Sequence, residues 1–375
     1  MTVHLIAPSP HSETTHRFDV DAFAAKCRRL GTMLTSQGYK VILYGGPENE
    51  SDVFEHVPLV TREEQLNWFG NFDPMVDIFN TFDVDHPAWV AFNARAILEI
   101  QKRVEPQDIL GLSMGLAHKP IADAFPALLA VETGIGYPGV FAPYRVFESY
   151  AWAHYLAKPD DVRLFDTVIP NSYDDEEFPL GSGQGGYHLF MGRFIKRKGI
   201  EIAVEATKRL GVELIMAGPG VLESDDNTYR GVDLTVSGDH IRHIGSVTGP
   251  AKAKLMGDAE VVWMPTTYLE PFGSVATESM TTGTPVIATD WGAFTETIAH
   301  GLSGYRCRTL RQFVEAGEAA KTLDRAAVRE YARSKYSTAV VAPQYDRYFK
   351  QLSTLYGEGW YFLPDGRSIT NETPA

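Results

Sequence analysis

Short apolar runs of strand length alternate with helix-length stretches along most of this chain, and the alternation breaks once. The run at residues 3–7 precedes a helical stretch at 19–37, with Phe23, Leu30 and Leu34 spaced along it and Gly38 to end it; a second strand follows at 41–44. That is a βαβ unit, whose strands are parallel and whose crossover is right-handed. Further strands are predicted at 109–112 and 127–131, and helices at 87–104 and around 145–156. At residues 179–188 the stretch PLGSGQGGYH, rich in Gly and Ser, reads as an interdomain linker. Beyond it the alternation restarts, with strands at 187–191, 212–217, 241–244, 261–264 and 284–288 and helices at 200–210, 251–257 and 274–282. The pattern predicts two α/β, Rossmann-like domains, 1–180 and 181–340, each with a parallel sheet, and a loose tail after Trp360.

A length of 375 residues with 44% hydrophobic and 22% charged side chains suits two globular domains. Cys27 and Cys307 are too few for a disulfide framework and lack the spacing of a zinc site, so a reducing, cytoplasmic setting is expected. The first residues show no basic leader with a long apolar core, and no run reaches the roughly 18 apolar residues of a membrane span. Charge is uneven. Residues 1–180 hold 13 basic and 26 acidic side chains, net −13, whereas 181–375 hold 21 and 22, net −1. An acidic first half repels phosphate backbones and anionic lipid, which disfavours nucleic acid and membrane partners.

The segment from Tyr268 to Ile298, YLEPFGSVATESMTTGTPVIATDWGAFTETI, is the most informative. Glu270 stands in a loop after a strand and Glu278 in the following helix, with seven residues between them. Where the helix begins, the amides of Phe272, Gly273 and Ser274 have no intrahelical partners and can receive an oxygen-rich or anionic ligand. Two carboxylates flanking such amides suit sugar hydroxyls; the plainer alternative is a capped helix with two solvated glutamates. In MGRFIKRKGIEIAVEA, Arg193 and Lys198 run from a strand end to the start of a helix, so both cations can converge at the carboxyl edge of a sheet. A solvated basic cap is the alternative, and suits Lys196 and Arg197.

These motifs resemble the family 4 glycosyltransferases of the GT-B fold, over residues 165–348. The family's Glu-x7-Glu element matches Glu270 to Glu278 in EPFGSVATE, followed by GTPVIAT. The resemblance implies that Glu270 binds hydroxyls of a donor sugar and Glu278 the nucleotide ribose. It also implies that Pro271, Phe272, Gly273 and Ser274 line the sugar or diphosphate site, and that Arg193 and Lys198 stabilise the leaving diphosphate. MAGPG and HIGSVTG supply Gly218 and Val247 as pocket wall, with Gly192 beside Arg193 and the Val247 backbone toward the base. A GT-B fold of two domains facing a central cleft, a final helix around 342–356 crossing back to the first domain, and transfer with retention of configuration are implied as well.

The first half matches the family less. Its first βα loop, PSPHSETTHRFDV, lacks the family's Gly-Gly pair and supplies His11, Ser12, Glu13, Thr14 and Thr15, which can bind hydroxyls or phosphate or simply be hydrated. His118, in the loop after ILGLSM, is the candidate for assisting at the reacting carbon, and Glu132, Tyr144 and Arg145 are further acceptor-side candidates. Phe147, Tyr150, Trp152 and Tyr155 read as packing rather than a sugar platform. Asp83-Val84-Asp85 has the letters of a metal-binding pair but lies before a helix, and the resemblance implies that no metal or other cofactor is needed, with the cations standing in for one. The expected activity is transfer of a sugar from a nucleotide-sugar, with UDP-glucose as first guess, to a hydroxyl of a small molecule, glycan or protein, a modified nucleic-acid base being the less favoured acceptor. A sugar phosphorylase, a nucleotide-sugar epimerase or a degenerate binding module are the rivals.

Overall fold

The computed structural model describes residues 1–77, 83–158, 164–220 and 223–356. The first sheet is assembled from β1 (Thr2–Ile6), β2 (Lys40–Gly45), β3 (Glu55–Pro58), β4 (Ile109–Leu112), β5 (Leu129–Ile135), β6 (Tyr144–Phe147) and β7 (Thr167–Val168). Its order is β3-β2-β1-β4-β5-β6-β7, and every pairing is parallel. Helices α1 (Ala22–Ser36), α2 (Arg62–Phe69), α3 (Pro87–Gln101), α4 (Lys119–Ala124) and α5 (Tyr150–Tyr155) connect the strands. β1 and β4 are buried along their whole length because helices cover both faces, which is why they read as unbroken apolar runs.

The second sheet repeats the scheme. β8 (Tyr187–Met191), β9 (Glu213–Ala217), β13 (Ile241–His243), β14 (Val261–Met264), β15 (Val286–Thr289) and β16 (Gly304–Cys307) form the order β13-β9-β8-β14-β15-β16, again parallel throughout. Three short strands, β10 (Glu223–Asp225), β11 (Thr228–Arg230) and β12 (Thr235–Ser237), make a separate antiparallel meander. Helices α6 (Ile200–Leu210), α7 (Gly249–Asp258), α8 (Ser274–Thr281), α9 (Phe294–Thr297), α10 (Leu310–Ala320) and α11 (Arg325–Tyr336) surround it. In both sheets the first strand lies inside, beside a strand reached by a later crossover, so each has a switch point at its carboxyl edge where ligands bind in open α/β sheets.

The last described helix, α12 (Thr338–Ser353), leaves the second domain and buries Val341, Ala342, Tyr345, Tyr348, Phe349 and Leu352 in the first core, against β1 and α1. Tyr39 and Tyr348 hydroxyls bind Asp346 Oδ1 at 3.0 Å and Phe165 O at 2.8 Å, fixing it there. The tail after Trp360 lies outside the described residues.

Several elements differ from the sequence pattern. The helix expected at 145–156 begins as strand β6, and only Tyr150–Tyr155 is helical; Ser149 caps it by accepting the Trp152 amide. The strand expected at 127–131 is displaced to Leu129–Ile135. The helix expected at 19–37 is a 3-10 turn, His16–Val20, followed by α1, with the Asp21 carboxylate accepting the Phe23 and Ala24 amides.

Two buried histidines give the core a pH response. His118 Nδ1 accepts the Ser113 amide at 3.3 Å and His188 Nδ1 accepts Trp263 Nε1 at 3.0 Å, and burial lowers both pKa values to about 3. Both are neutral when folded and gain a proton near pH 6.5 when unfolded. Their penalty is absent above that pH and grows as pH falls from 6.5 toward 3, on the order of 2 kcal/mol each by pH 4.5. Thermal unfolding at pH 7.5 and 4.5 should show this loss, and His118→Asn, which cannot titrate, should recover part of it.

Candidate functional site

The site is built from loops at the carboxyl edge of the second sheet. After β8 the chain passes Gly192 and Arg193, and after β9 it passes Gly218. Gly218, at φ 141°, sits so close to the Gly192 carbonyl that a Cβ would collide with it, so only glycine lets the two loops pack backbone to backbone. Together with Val247 they form one wall of a cavity of about 90 Å3, and Ser274, Val275 and Glu278 lie across it. Arg193 lines this cavity, and among the described residues its side chain has no hydrogen-bond or ion-pair partner.

Lys198 ends a 3-10 turn and is followed by Gly199, whose left-handed backbone lies against the Pro265 carbonyl. This close approach brings Lys198 to the loop after β14. Its Nζ donates to Glu270 Oε2 at 3.0 Å and to the Tyr268 hydroxyl at 2.7 Å, and that hydroxyl donates to the same carboxylate oxygen at 2.6 Å. Burial lowers the Lys198 pKa; Glu270 opposes the shift, and Arg193 and Arg197 add to it. The predicted cation and carboxylate therefore meet. Tyr268, which the sequence reading passed over, completes the group and was visible two residues before Glu270.

Gly273, at φ 83°, turns the chain into α8, and a Cβ there would lie 2.5 Å from the Phe294 ring. No side chain caps α8; the Ala276 amide donates to the Gly273 carbonyl at 2.8 Å, which leaves the Ser274 and Val275 amides of the first turn for a ligand. Phe272 contributes its backbone only, since its ring packs edge-on to Tyr336 in the core. Glu278 lines the same cavity but is 2% exposed and held by two cations. Its carboxylate is 2.7 Å from Lys252 Nζ, in α7, and 3.4 Å from Arg29 Nη2, in α1 of the first domain. Arg29 also meets Glu177 at 3.2 Å, and Arg28 bridges Glu177 and Asp19 at 2.9 Å each. Arg29 and Lys252 were not foreseen; the separation of 249 residues between Arg29 and Glu278 left no local pattern to find.

The acceptor-side candidates fare differently. The loop at 8–15 is folded inward rather than hydrated. His11 Nδ1 lies 2.7 Å from Ser9 Oγ, its ring stands edge-on to Phe69 and Phe72, and burial lowers its pKa to about 4. Ser12 Oγ accepts from Ser9 Oγ, Glu13 pairs with Arg62 at 2.5 Å, and Thr14 Oγ1 donates to Asn49 Oδ1 at 2.8 Å. Of the hydroxyls of Ser9, Ser12, Thr14 and Thr15, the Thr15 hydroxyl alone lacks a partner.

Four candidates need correction. His118 has no exposed surface: its ring stacks on Phe92 at 6.2 Å and tilts against Trp89, so it is walled off from the cleft. Glu132, also fully buried, accepts the Phe141 and Ala142 amides at 2.9 Å and the Tyr137 hydroxyl at 3.3 Å, which makes it the fastening of the loop after β5. Tyr144 and Arg145 open β6 and therefore lie at the amino edge of the sheet, opposite the cleft. Tyr144 packs on Phe165, and Arg145 pairs with Asp166 at 2.7 Å. Of the aromatic set, Phe147 and Trp152 are core, while Tyr150 and Tyr155 are exposed. Among the described residues no three His, Cys, Asp or Glu side chains gather to hold a metal ion.

Two parallel-sheet α/β domains, with a loop-built site at a carboxyl edge facing the cleft, define a GT-B fold. Residues 174–334 match the glycosyl transferases group 1 family. A phosphatidyl-myo-inositol mannosyltransferase of Mycolicibacterium smegmatis is 34% identical over 234 residues, 58% of this chain and 59% of that protein. A D-inositol 3-phosphate glycosyltransferase of Paenarthrobacter aurescens is 33% identical over 123 residues, 31% of this chain and 30% of that protein. The chain thus aligns with about three-fifths or less of the length of these relatives. In fold it is similar to a sucrose-phosphate synthase from Thermosynechococcus elongatus, with TM-score 0.66, 18% identity and coverage of 95% of this chain and 100% of that one. An Anabaena protein solved in complex with UDP and glucose gives TM-score 0.63 at 15% identity, covering 93% and 99%.

Removing the Glu278 carboxylate would leave Arg29 and Lys252 with unbalanced buried charge. Glu278→Ala should destabilise the ligand-free protein by on the order of 3 kcal/mol in a denaturant titration. Unchanged stability would mean that Glu177 and Asp19 alone suffice to balance the cations.

Proposed function

We propose that the chain is a retaining glycosyltransferase that moves a sugar from a nucleotide-sugar to a hydroxyl of its acceptor. The observation that carries this reading is Arg193, which lines the cavity with Ser274 at the start of α8 and lies near enough to the Lys198–Glu270 pair for its charge to act on Lys198. In the reaction the bond from the anomeric carbon to the diphosphate breaks, a bond to the acceptor oxygen forms, and the acceptor proton passes to the departing phosphate. Negative charge develops on the diphosphate, where Arg193 and Lys198 supply fixed positive charge, and Glu270 accepts from sugar hydroxyls. Those cations make a metal ion unnecessary for neutralising the leaving group.

The group 1 match and the Anabaena neighbour's complex with UDP and glucose support a nucleotide-sugar donor, with UDP-glucose the first probe. Relatives named for transfer to inositol compounds make a polyhydroxylated small molecule the first acceptor to try. A cytoplasmic setting suits Cys27 and Cys307, both buried as free thiols, and among the described residues no helix is long and apolar enough to cross a membrane.

Thermal unfolding against a panel of nucleoside diphosphates and nucleotide-sugars tests the donor side, because a ligand bound only to the folded state raises the midpoint. One nucleotide should raise it in the wild type and not in Lys198→Ala. Lys198→Ala or Glu270→Ala should lower transfer about 100-fold or more, EDTA should leave it unchanged, and NMR of the product should show the donor's anomeric configuration. Inversion would reject the retaining reading, and phosphate-dependent release of sugar without an acceptor would favour a phosphorylase.

A further inference from the structure

A second group of contacts joins the domains, apart from Arg29 and Glu278 and from the groups assigned to the donor. Glu296, in α9, reaches the first domain: Oε2 accepts the Tyr150 amide at 3.0 Å and Oε1 accepts the Ala151 amide at 2.9 Å. Ser149 does not satisfy these two amides, because its hydroxyl oxygen is engaged by the Trp152 amide at 3.1 Å. The same Ser149 hydroxyl donates to the Pro271 carbonyl at 2.5 Å. Two residues of the second domain, Pro271 in the loop and Glu296 in α9, are therefore tied to three consecutive residues of the first domain, 149–151.

The tie bears directly on Glu270. The Ala293 amide, at the start of α9, donates to the Glu270 carbonyl at 3.0 Å. Gly292 approaches so closely that a Cβ there would meet the Glu270 nitrogen at 2.8 Å. The Phe294 ring covers Gly273, and Leu269 packs against the first-domain cluster that holds Phe147 and Trp152. The loop 269–273 and α9 thus move as one unit, and Glu296 is where a charged side chain of that unit engages the opposite domain.

We propose that Glu296 is a positioning residue: by engaging the Tyr150 and Ala151 amides it fixes the 269–273 loop, and with it the Glu270 carboxylate, against the first domain. This rests on reading that loop as the sugar-contacting loop. Arg193, Lys198, Gly218 and Val247 all lie in the second domain, and the first domain's contribution to the cavity, Arg29 on Glu278, does not pass through Glu296, so nucleotide binding does not need the tie. Bringing the sugar to an acceptor held by the first domain does, because small displacements of reacting groups lower rate steeply.

The test compares Glu296→Ala and Glu296→Gln with the wild type. Tyr150 is largely exposed, so its amide and that of Ala151 gain water when the carboxylate is removed, and both variants should fold and melt within a few degrees of wild type. Glu296→Ala should lower kcat ten-fold or more with KM for the nucleotide-sugar and affinity for its nucleoside diphosphate within two-fold. Glu296→Gln keeps one acceptor oxygen and should recover part of kcat. Unchanged kcat, or a parallel loss of nucleoside diphosphate affinity, would overturn the proposal. Hydrogen exchange provides a readout that does not depend on activity: Glu296→Ala should speed exchange at Tyr150 and Ala151 and also across 269–273. Fast exchange confined to the two amides would overturn the coupling to Glu270. Failure of the wild type to use any nucleotide-sugar would instead reject the proposed function, and the exchange result would still decide whether Glu296 fixes the loop.

Discussion

The chain crosses between its domains twice among the described residues, and the two crossings are hydrogen-bonded to each other. The Tyr173 amide donates to the Tyr336 carbonyl at 2.8 Å, and the Thr338 amide donates to the Tyr173 carbonyl at 3.1 Å. Everything in the cleft depends on this pairing, because it sets which edges of the two sheets confront one another. The Tyr173 ring is buried, and the Arg29 guanidinium lies 4.9 Å from its centroid. The side chain that reaches Glu278 is therefore anchored on the crossing itself. Away from this point the domains touch through polar contacts such as Gly220 N to Val76 O at 3.0 Å, together with Leu269 packed on the first-domain cluster. A bonded crossing with a polar rim is the construction expected of domains that swing about one side of a cleft.

Charge in the cleft is organised locally and against the trend of the whole chain. The first half carries net −13, yet its α1 presents Arg28 and Arg29 to the site. Desolvation opposes the Arg29 charge, and Glu278, Glu177 and Asp19 outweigh it, so the guanidinium stays firmly protonated. Lys198 is the contrasting case: burial prevails over Glu270 and its pKa falls. An anionic ligand drawn beside Lys198 would reinforce its charged form, whereas Arg29 needs no such help. Bulk charge counts could not show this, since they average over distances longer than the screening length of roughly 10 Å.

That contrast also explains which residues the sequence made legible. The groups proposed for the donor sit in strand–loop–helix units that are contiguous in the chain, so Arg193 with Lys198 and Glu270 with Glu278 could be placed from spacing and strand ends. His118, Glu132 and Arg145 could not, because burial and partners remote from their own loops decide their roles: Trp89 and Phe92 on α3, the Phe141 and Ala142 amides, and Asp166 near β7. Arg29 is the converse case, a residue that reads as one more exposed arginine on an amphipathic helix until the fold brings Glu278 to it. Among the elements, β10, β11 and β12 have three residues each, too short for alternation to register. β6 was absorbed into the helix that follows it, since a four-residue strand directly before a helix has no room for a period of its own.

Glu278 links these points. The Glu278 carboxylate does not face solvent: it is shared between Lys252 of its own domain and Arg29 of the other. Under the proposed function, a nucleotide that hydrogen-bonds this carboxylate competes for lone pairs with Arg29 or adds to them. In either case the energy of ribose binding depends on where Arg29 stands, and Arg29 stands on the first domain beside the crossing. Ribose recognition and the angle between the domains are then thermodynamically coupled in both directions. The same ion pair that balances buried charge would let the nucleotide sense closure, without any contact between the first domain and the base.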